Sequence, residues 1–143
     1  MSQSAAYLLD WTTGQWTQVS DMQRQHNQHV CQPVGHEGKI LVTGYGETYE
    51  EHFTEIYDPR TDTWVDGSPI PMTGDLRAAR SVKYWENVLV IGGVHEDKPS
   101  RYIWEYVVKS DSWRLRDERL EEPRSHFVAI FVPDDVKLCR DGE

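Results

Sequence analysis

The 143-residue sequence carries 15 Lys and Arg against 24 Asp and Glu, a net charge of −9. That acidity argues against nucleic-acid and anionic-membrane binding, both of which need a basic patch. No run of about 18 apolar residues is present to cross a bilayer as a helix.

The length suits one ordinary domain with a sizeable core. Six Trp and seven Tyr are spread along it, and Gly, Pro, Asp and Thr fall between short apolar runs. That alternation reads as an all-β chain with many turns. In chain order the expected strands are Ala6–Asp10 and Gln15–Val19, then 30–35, 39–43, 52–57 and 63–65. After these come 80–85, 88–91, 101–107 and 112–115, and finally 127–132 and 136–139. The turn Pro59-Arg60-Thr61-Asp62 joins two of them; Pro fixes φ, and Asp or Thr caps the free amides.

The strands recur in a fixed frame. Trp16, Trp64 and Trp113 are 48 and 49 residues apart, and Gly44 and Gly92 are 48 apart. Leu9, Tyr57 and Tyr106 each stand seven residues before their Trp, while His29, Arg77 and His126 each stand 13 after it. A period near 50 residues fits a propeller blade better than a helical solenoid. The apolar second strand of each unit (Ile40-Leu41-Val42, then Val88 to Ile91) reads as buried on both faces. The glycines Gly44, Gly92 and Gly93 at its end let the backbone turn and a neighbouring segment approach closely.

These residues resemble the kelch-repeat β-propeller family: four apolar residues, a glycine pair, a Tyr, six residues and a Trp. Tyr57-Asp58-Pro59-x-Thr61-x-x-Trp64 is the most recognisable segment. Tyr45 replaces the second glycine in one copy, Leu9 replaces the Tyr in another, and the last copy has no glycine pair. The resemblance implies a propeller of four-stranded antiparallel blades, about six or seven in a full ring. This chain would supply two complete blades, 29–67 and 77–116. Half blades would lie at both ends: the last two strands of one in 6–20, the first two of another in 126–139. Such propellers work mostly as protein-binding platforms. The connections between second and third strands and those joining successive blades cluster on one face. On this reading Gly44, Gly92, Gly93, Tyr57, Tyr106, Trp16, Trp64 and Trp113 are structural.

The partner-binding candidates follow from the two connections after the second strands. One supplies Tyr45, Glu47, Tyr49, Glu50, Glu51 and His52; the other supplies His95, Glu96, Asp97 and Arg101. Loops on a rigid scaffold concentrate binding residues, and the acids imply a basic or mixed-charge protein partner. The same acids also serve solubility.

Neighbouring carboxylates such as Glu121-Glu122 read as solvated loops, since catalytic pairs need a fixed separation across a cleft. His26 and His29 have a metal-like spacing but no second ligand pair near them in sequence, which a zinc site needs. Neither a nucleophile elbow nor a phosphate-binding glycine loop is recognisable. The reading is therefore a non-catalytic interaction module without cofactor. The alternative is a galactose-oxidase-like secreted carbohydrate-binding or carbohydrate-oxidising domain. Cys31 and Cys139 form neither a disulfide framework nor a metal motif. With no basic, apolar secretory start in MSQSAAYLLDW, they predict a cytoplasmic protein. Three blades' worth of strands is too small a ring. The sequence is then part of a longer protein, or two copies assemble head-to-tail into one ring, 127–139 of one pairing with 6–19 of the other.

Overall fold

The computed structural model describes residues 4–25, 28–34, 38–46, 51–72 and 75–132. Its strands are β1 (Ala6–Asp10), β2 (Gln15–Val19), β3 (Gln28–Val34), β4 (Lys39–Tyr45), β5 (His52–Asp58) and β6 (Thr63–Gly67). These are followed by β7 (Asp75–Tyr84), β8 (Asn87–His95), β9 (Lys98–Pro99), β10 (Ile103–Val107) and β11 (Ser112–Leu115). All pairings are antiparallel. β1 and β2 form a hairpin, β3-β4-β5-β6 a four-stranded sheet, and β7-β8-β10-β11 a second, with β9 extending the end of β8. The arrangement is that of a β-propeller segment, with two complete four-stranded blades after a two-stranded half blade.

The inner strands β3 and β7 lie side by side, as the first strands of adjacent blades do around a propeller axis. The core lies between the two blades. Leu41 from β4 meets Val88 and Tyr106, while Tyr45 meets Ile70, Met72, Leu76, Ala79 and Val90. Trp113 packs against both clusters. Odd-numbered residues of β4 therefore face even-numbered residues of β8 across the interface, as the two-residue period of a strand requires.

β4 is buried on both faces, Leu41 fully and Val42 almost so. β8 is not. Val88 and Val90 are buried, but Leu89 and Ile91 are half-buried, because they face away from the first blade. The expectation of two-sided burial thus holds better for β4, where Ile40 alone of Ile40-Leu41-Val42 is half-buried. Thr43 and Thr54, both buried in the first blade, are hydrogen-bonded: Thr43 Oγ1 donates to the Phe53 carbonyl at 2.8 Å, and Thr54 Oγ1 to Thr43 Oγ1 at 3.1 Å.

A hydrogen-bonded latch repeats on the outer strands. In the first blade Tyr57 OH (2.9 Å) and the Ser20 N–H (2.9 Å) both donate to Asp62 Oδ1, and Trp64 Nε1 donates to the Ser20 carbonyl at 2.7 Å. In the second, Tyr106 OH (2.5 Å) and the Ser68 N–H (2.8 Å) donate to Asp111 Oδ1, and Trp113 Nε1 to the Ser68 carbonyl at 2.8 Å. Each latch ties the outer turn of a blade to the linker that enters it. Each Tyr also packs on its Trp, with ring centroids 4.9 and 5.1 Å apart.

Asp62 and Asp111 both have positive φ, 51° and 45°. Asp tolerates this left-handed region because its short side chain bonds locally. In the N-terminal copy the same turn position is Gly14, φ 70°, and Leu9 stands where the other copies have Tyr. That copy has neither the phenol nor the carboxylate of a latch, and Trp16 is 66% exposed.

The glycine pair does what the sequence suggests, with one difference: β8 continues through it to His95. Gly92 and Gly93 have φ of 66° and 92°. A Cβ on Gly92 would fall against the Arg124 carbonyl and the Phe127 ring. The segment leaving the second blade crosses here, with the Gly93 N–H donating to Arg124 O at 3.1 Å and the His126 N–H to Ala78 O at 3.1 Å. Beyond it, 129–131 lie beside Ser81, Val82 and Lys83 of β7, and Phe131 meets Tyr84 and Trp85 edge-on. Residues 127–132, expected as a first strand, carry no ladder among the described residues. Such a strand pairs with its own second strand, and the expected one, 136–139, lies outside the described residues.

Candidate protein-interaction surface

Strand polarity gathers several connections at one end of the blades. Tyr45 pairs with His52 where β4 turns into β5, and His95 with Lys98 where β8 turns into β9. β3 and β7 begin at this same end, since Gln28 pairs with Tyr45 and Asp75 with Val94. The linkers that enter β3 and β7 therefore border the second-to-third-strand connections. The outer turns with Asp62 and Asp111 lie at the opposite end.

The first blade has an open cleft of about 460 Å³ here, lined by Arg24, Gln25, Gly46, Glu51, His52 and Phe53. Arg24 is fixed from below, 3.3 Å from Asp66 and 4.0 Å from the fully buried Glu55. The Gly46 N–H donates to Glu51 O at 3.1 Å, which closes the neck of the loop. Glu51 is exposed and His52 half-buried. Glu47, Tyr49 and Glu50 lie outside the described residues.

Tyr45 has to be reassigned. It is 4% exposed and packs into the inter-blade core, so it presents no surface to a partner. The physical reason is the substitution itself: an aromatic ring in place of the second glycine fills space beside Met72 and Ile70 instead of leaving the backbone bare.

The second blade has a cleft of about 350 Å³, lined by His95, Lys98, Arg101, Tyr102, Arg119 and Pro123 with Glu96, Pro99 and Ser100. Glu96 and Asp97 form its tip, exposed and with φ of 49° and 59°. The His95 ring meets Tyr102 edge-on at 5.8 Å, and the Arg119 guanidinium lies 5.2 Å from the Tyr102 centroid. Sequence reading missed Tyr102, Lys98 and Arg119. The first two sit within or beside the loop already singled out, and their aromatic and cationic character was the available signal. Arg119 comes from a linker 18 residues beyond Arg101 and carries no such mark. His95, Glu96 and Arg101 line this one cleft, while Glu51 and His52 sit at the same end of the adjacent blade.

Ionisation at the rim of the blades follows from pairing. Glu105 is 1% exposed. Burial pushes its carboxyl up, but hydrogen bonds from Arg114, Asn87 and Arg116 outweigh that and hold it below the usual glutamate value. Those contacts are 2.8 Å to Arg114 Nη2, 2.7 Å to Asn87 Nδ2 and 2.7 Å to Arg116 Nη1. Arg116 also binds Glu118 at 2.6 Å, which ties the linker after β11 to the sheet. In the latches, burial and the Asp62 bond push the Tyr57 phenol up to about 12. The Ser20 N–H and the Tyr57 hydroxyl hold Asp62 below its ordinary value. Burial raises Asp111, but its bonds from Tyr106 and Ser68 prevail and lower it. Among the described residues no group of three or more His, Cys, Asp or Glu is placed to hold a metal ion.

No protein-family model matches the chain. Over 74 residues, 52% of its length, it is 38% identical to an F-box/kelch-repeat protein of Arabidopsis thaliana, of which it covers 19%. Over 86 residues, 59% of its length, it is 30% identical to Kelch-like protein 25 of Rattus norvegicus and of Mus musculus, covering 14% of each. The chain thus spans less than a fifth of these curated relatives. The solved structure of YjhT superposes on 85% of this chain and 47% of that one with a TM-score of 0.69, at 16% identity, a likeness of fold alone. Repeat spacing, blade topology and these partial matches together make the chain a partial kelch-repeat array of the β-propeller type.

Proposed function

We propose that the chain is a non-catalytic protein-interaction module that takes its partners on the face where the β4–β5 and β8–β9 connections border the inter-blade linkers. The observation that carries this reading is the pair of open clefts at that end of neighbouring blades, each walled by one such connection and one linker. Similarity to F-box/kelch-repeat and Kelch-like proteins supports an interaction role. No finding favours the carbohydrate-oxidising alternative. Glu51 on the first blade and Glu96 and Asp97 on the second share this face with Lys98, Arg101 and Arg119, so the partner it suits is a protein of mixed charge. A cytoplasmic location belongs to the same proposal, resting on two cysteines far apart in sequence without a disulfide framework.

The test is charge reversal at two exposed rim positions. Glu51→Lys and Glu96→Lys together should slow association with a captured partner by about tenfold, because rim charges act mainly on encounter. Unchanged partners at unchanged salt tolerance would end the reading.

Completion of the ring is a second part of the proposal. Among the described residues β1 pairs only with β2, whereas the equivalent β5 pairs on both sides, so one edge of β1 is open. Open edges are covered in native folds, here by further sequence or by a second copy. Light scattering on the purified chain should give a dimer or a broad distribution. A monodisperse, cooperatively unfolding monomer would contradict both.

A further inference from the structure

We propose that the linker 20–25, which leads into the first blade, is a releasable strap. It lifts as a unit while both blades stay folded, and it carries away part of the lining of the first cleft. The linker 68–72 into the second blade, built on the same register, stays down. Only the consequence for a partner rests on the interaction reading above; the motion itself does not.

The two linkers match position for position. Ser20 and Ser68 each stand four residues after their Trp. Each gives its N–H to a latch Asp and accepts an indole N–H on its carbonyl. Two and four residues further on, the linkers part. The second has Ile70 and Met72 there, 2% and 9% exposed, in one apolar cluster against which Trp104 packs. The first has Met22, half-buried, and Arg24, exposed, and none of 20–25 is buried. Glu55 takes the place of Trp104, each two residues before its latch Tyr. An Arg24–Glu55 ion pair at 4.0 Å thus stands where the second blade has apolar packing.

The bonds that hold the first linker are open to water. Besides the two at Ser20, Gln23 Nε2 donates to the Trp64 carbonyl at 2.8 Å and Arg24 Nη2 to the Asp66 carboxylate at 3.3 Å, all at exposed positions. Water competes for such bonds, and their net contribution is small. Burial of Ile70 and Met72 has no such competitor. Segments with few buried apolar contacts and exposed hydrogen bonds open at low cost while the core stays folded. The clasps also span the blade. Asp62 holds the strap at the outer-turn end, while Asp66 and Glu55 hold it near the cleft that Arg24 and Gln25 line with Glu51, His52 and Phe53. A change at the outer turn therefore reaches the opposite face through the strap.

Amide hydrogen exchange on the purified chain, read residue by residue by NMR, tests this. The Ser20 and Ser68 amides make the same bond to an Asp, so they give a matched pair. After correction for neighbouring side chains, Ser20 should exchange about tenfold faster than Ser68, and the Leu41 and Val88 amides more slowly than either. Gln23→Ala leaves the Ser20 bond itself in place; it should speed Ser20 further without changing Leu41 or Val88. Met22→Ala should leave Ser20 nearly as it was, whereas Met72→Ala should speed Ser68, with thermal melts showing each variant folded. Equal protection of Ser20 and Ser68 in the wild-type chain would overturn the proposal. So would exchange of Ser20 in step with Leu41 and Val88, because the linker would then open only with the blades. No partner enters the measurement, so failure of the Glu51 and Glu96 reversal would end the interaction reading and leave the strap standing.

Discussion

Asp62 and Asp111 each accept a phenol proton and a main-chain N–H on one oxygen, so a single side chain ties a turn, a strand and an incoming linker. Charge-assisted bonds of this kind are roughly twice as strong as neutral ones. The Trp beside each adds apolar contact and a bond to the same linker. Truncation of Trp64 to Ala should therefore cost about 3 kcal/mol, read as a lower denaturant midpoint. Trp11→Ala, at a side chain 88% exposed, should change the midpoint little; equal, small effects would break the latch account. The latch also has a pH sign. Both carboxyls are depressed by folding, so their contribution is present above the ordinary Asp range and lost as pH falls through the folded values. Asp111→Asn keeps the left-handed turn but removes the charge. Its midpoint should lie below wild type near about pH 7 and converge with it as pH falls below the ordinary Asp range and through the lowered folded value.

At the scale of elements, β8 and the segment 122–127 are held against each other by a glycine pair that no other residue replaces without strain. Gly92→Ala meets two costs: a left-handed backbone, about 1–2 kcal/mol, and collision with the Arg124 carbonyl and Phe127 ring. Gly14→Ala meets only the first, since nothing lies within 4 Å of its Cβ position. Urea midpoints should separate the two variants, Gly92→Ala being clearly the worse; equal losses would mean that the crossing segment is not packed there. The strands, the Tyr–Trp register and this close approach were legible because each leaves a residue type at a fixed spacing. The latch acceptors at Ser20 and Ser68 were not, because a carbonyl and an N–H belong to every residue. Tyr45 misled for a related reason: its position in the repeat reads as loop, whereas its burial depends on Ile70 and Met72 from the next linker. Arg119 was invisible because only the fold carries it to Tyr102.

Across the whole molecule, the two blades share one interface, one core and one orientation, so their connections sort to two opposite ends. Residues in the same register need not share a fate: Trp113 is wedged between blades, while Trp16, paired with Leu9, is exposed, as are Tyr7 and Leu8. The repeat predicts the element, and the neighbouring sheet decides what is buried. The end that holds Glu51, Glu96 and the two clefts is the one assigned here to partner binding. A photo-crosslinking amino acid placed at Glu96, and in a separate variant at Lys109 on the opposite end, tests that assignment most directly. Illumination in cells should give specific protein adducts from position 96 that are absent from position 109. Adducts from 109 alone, or the same adducts from both, would contradict it.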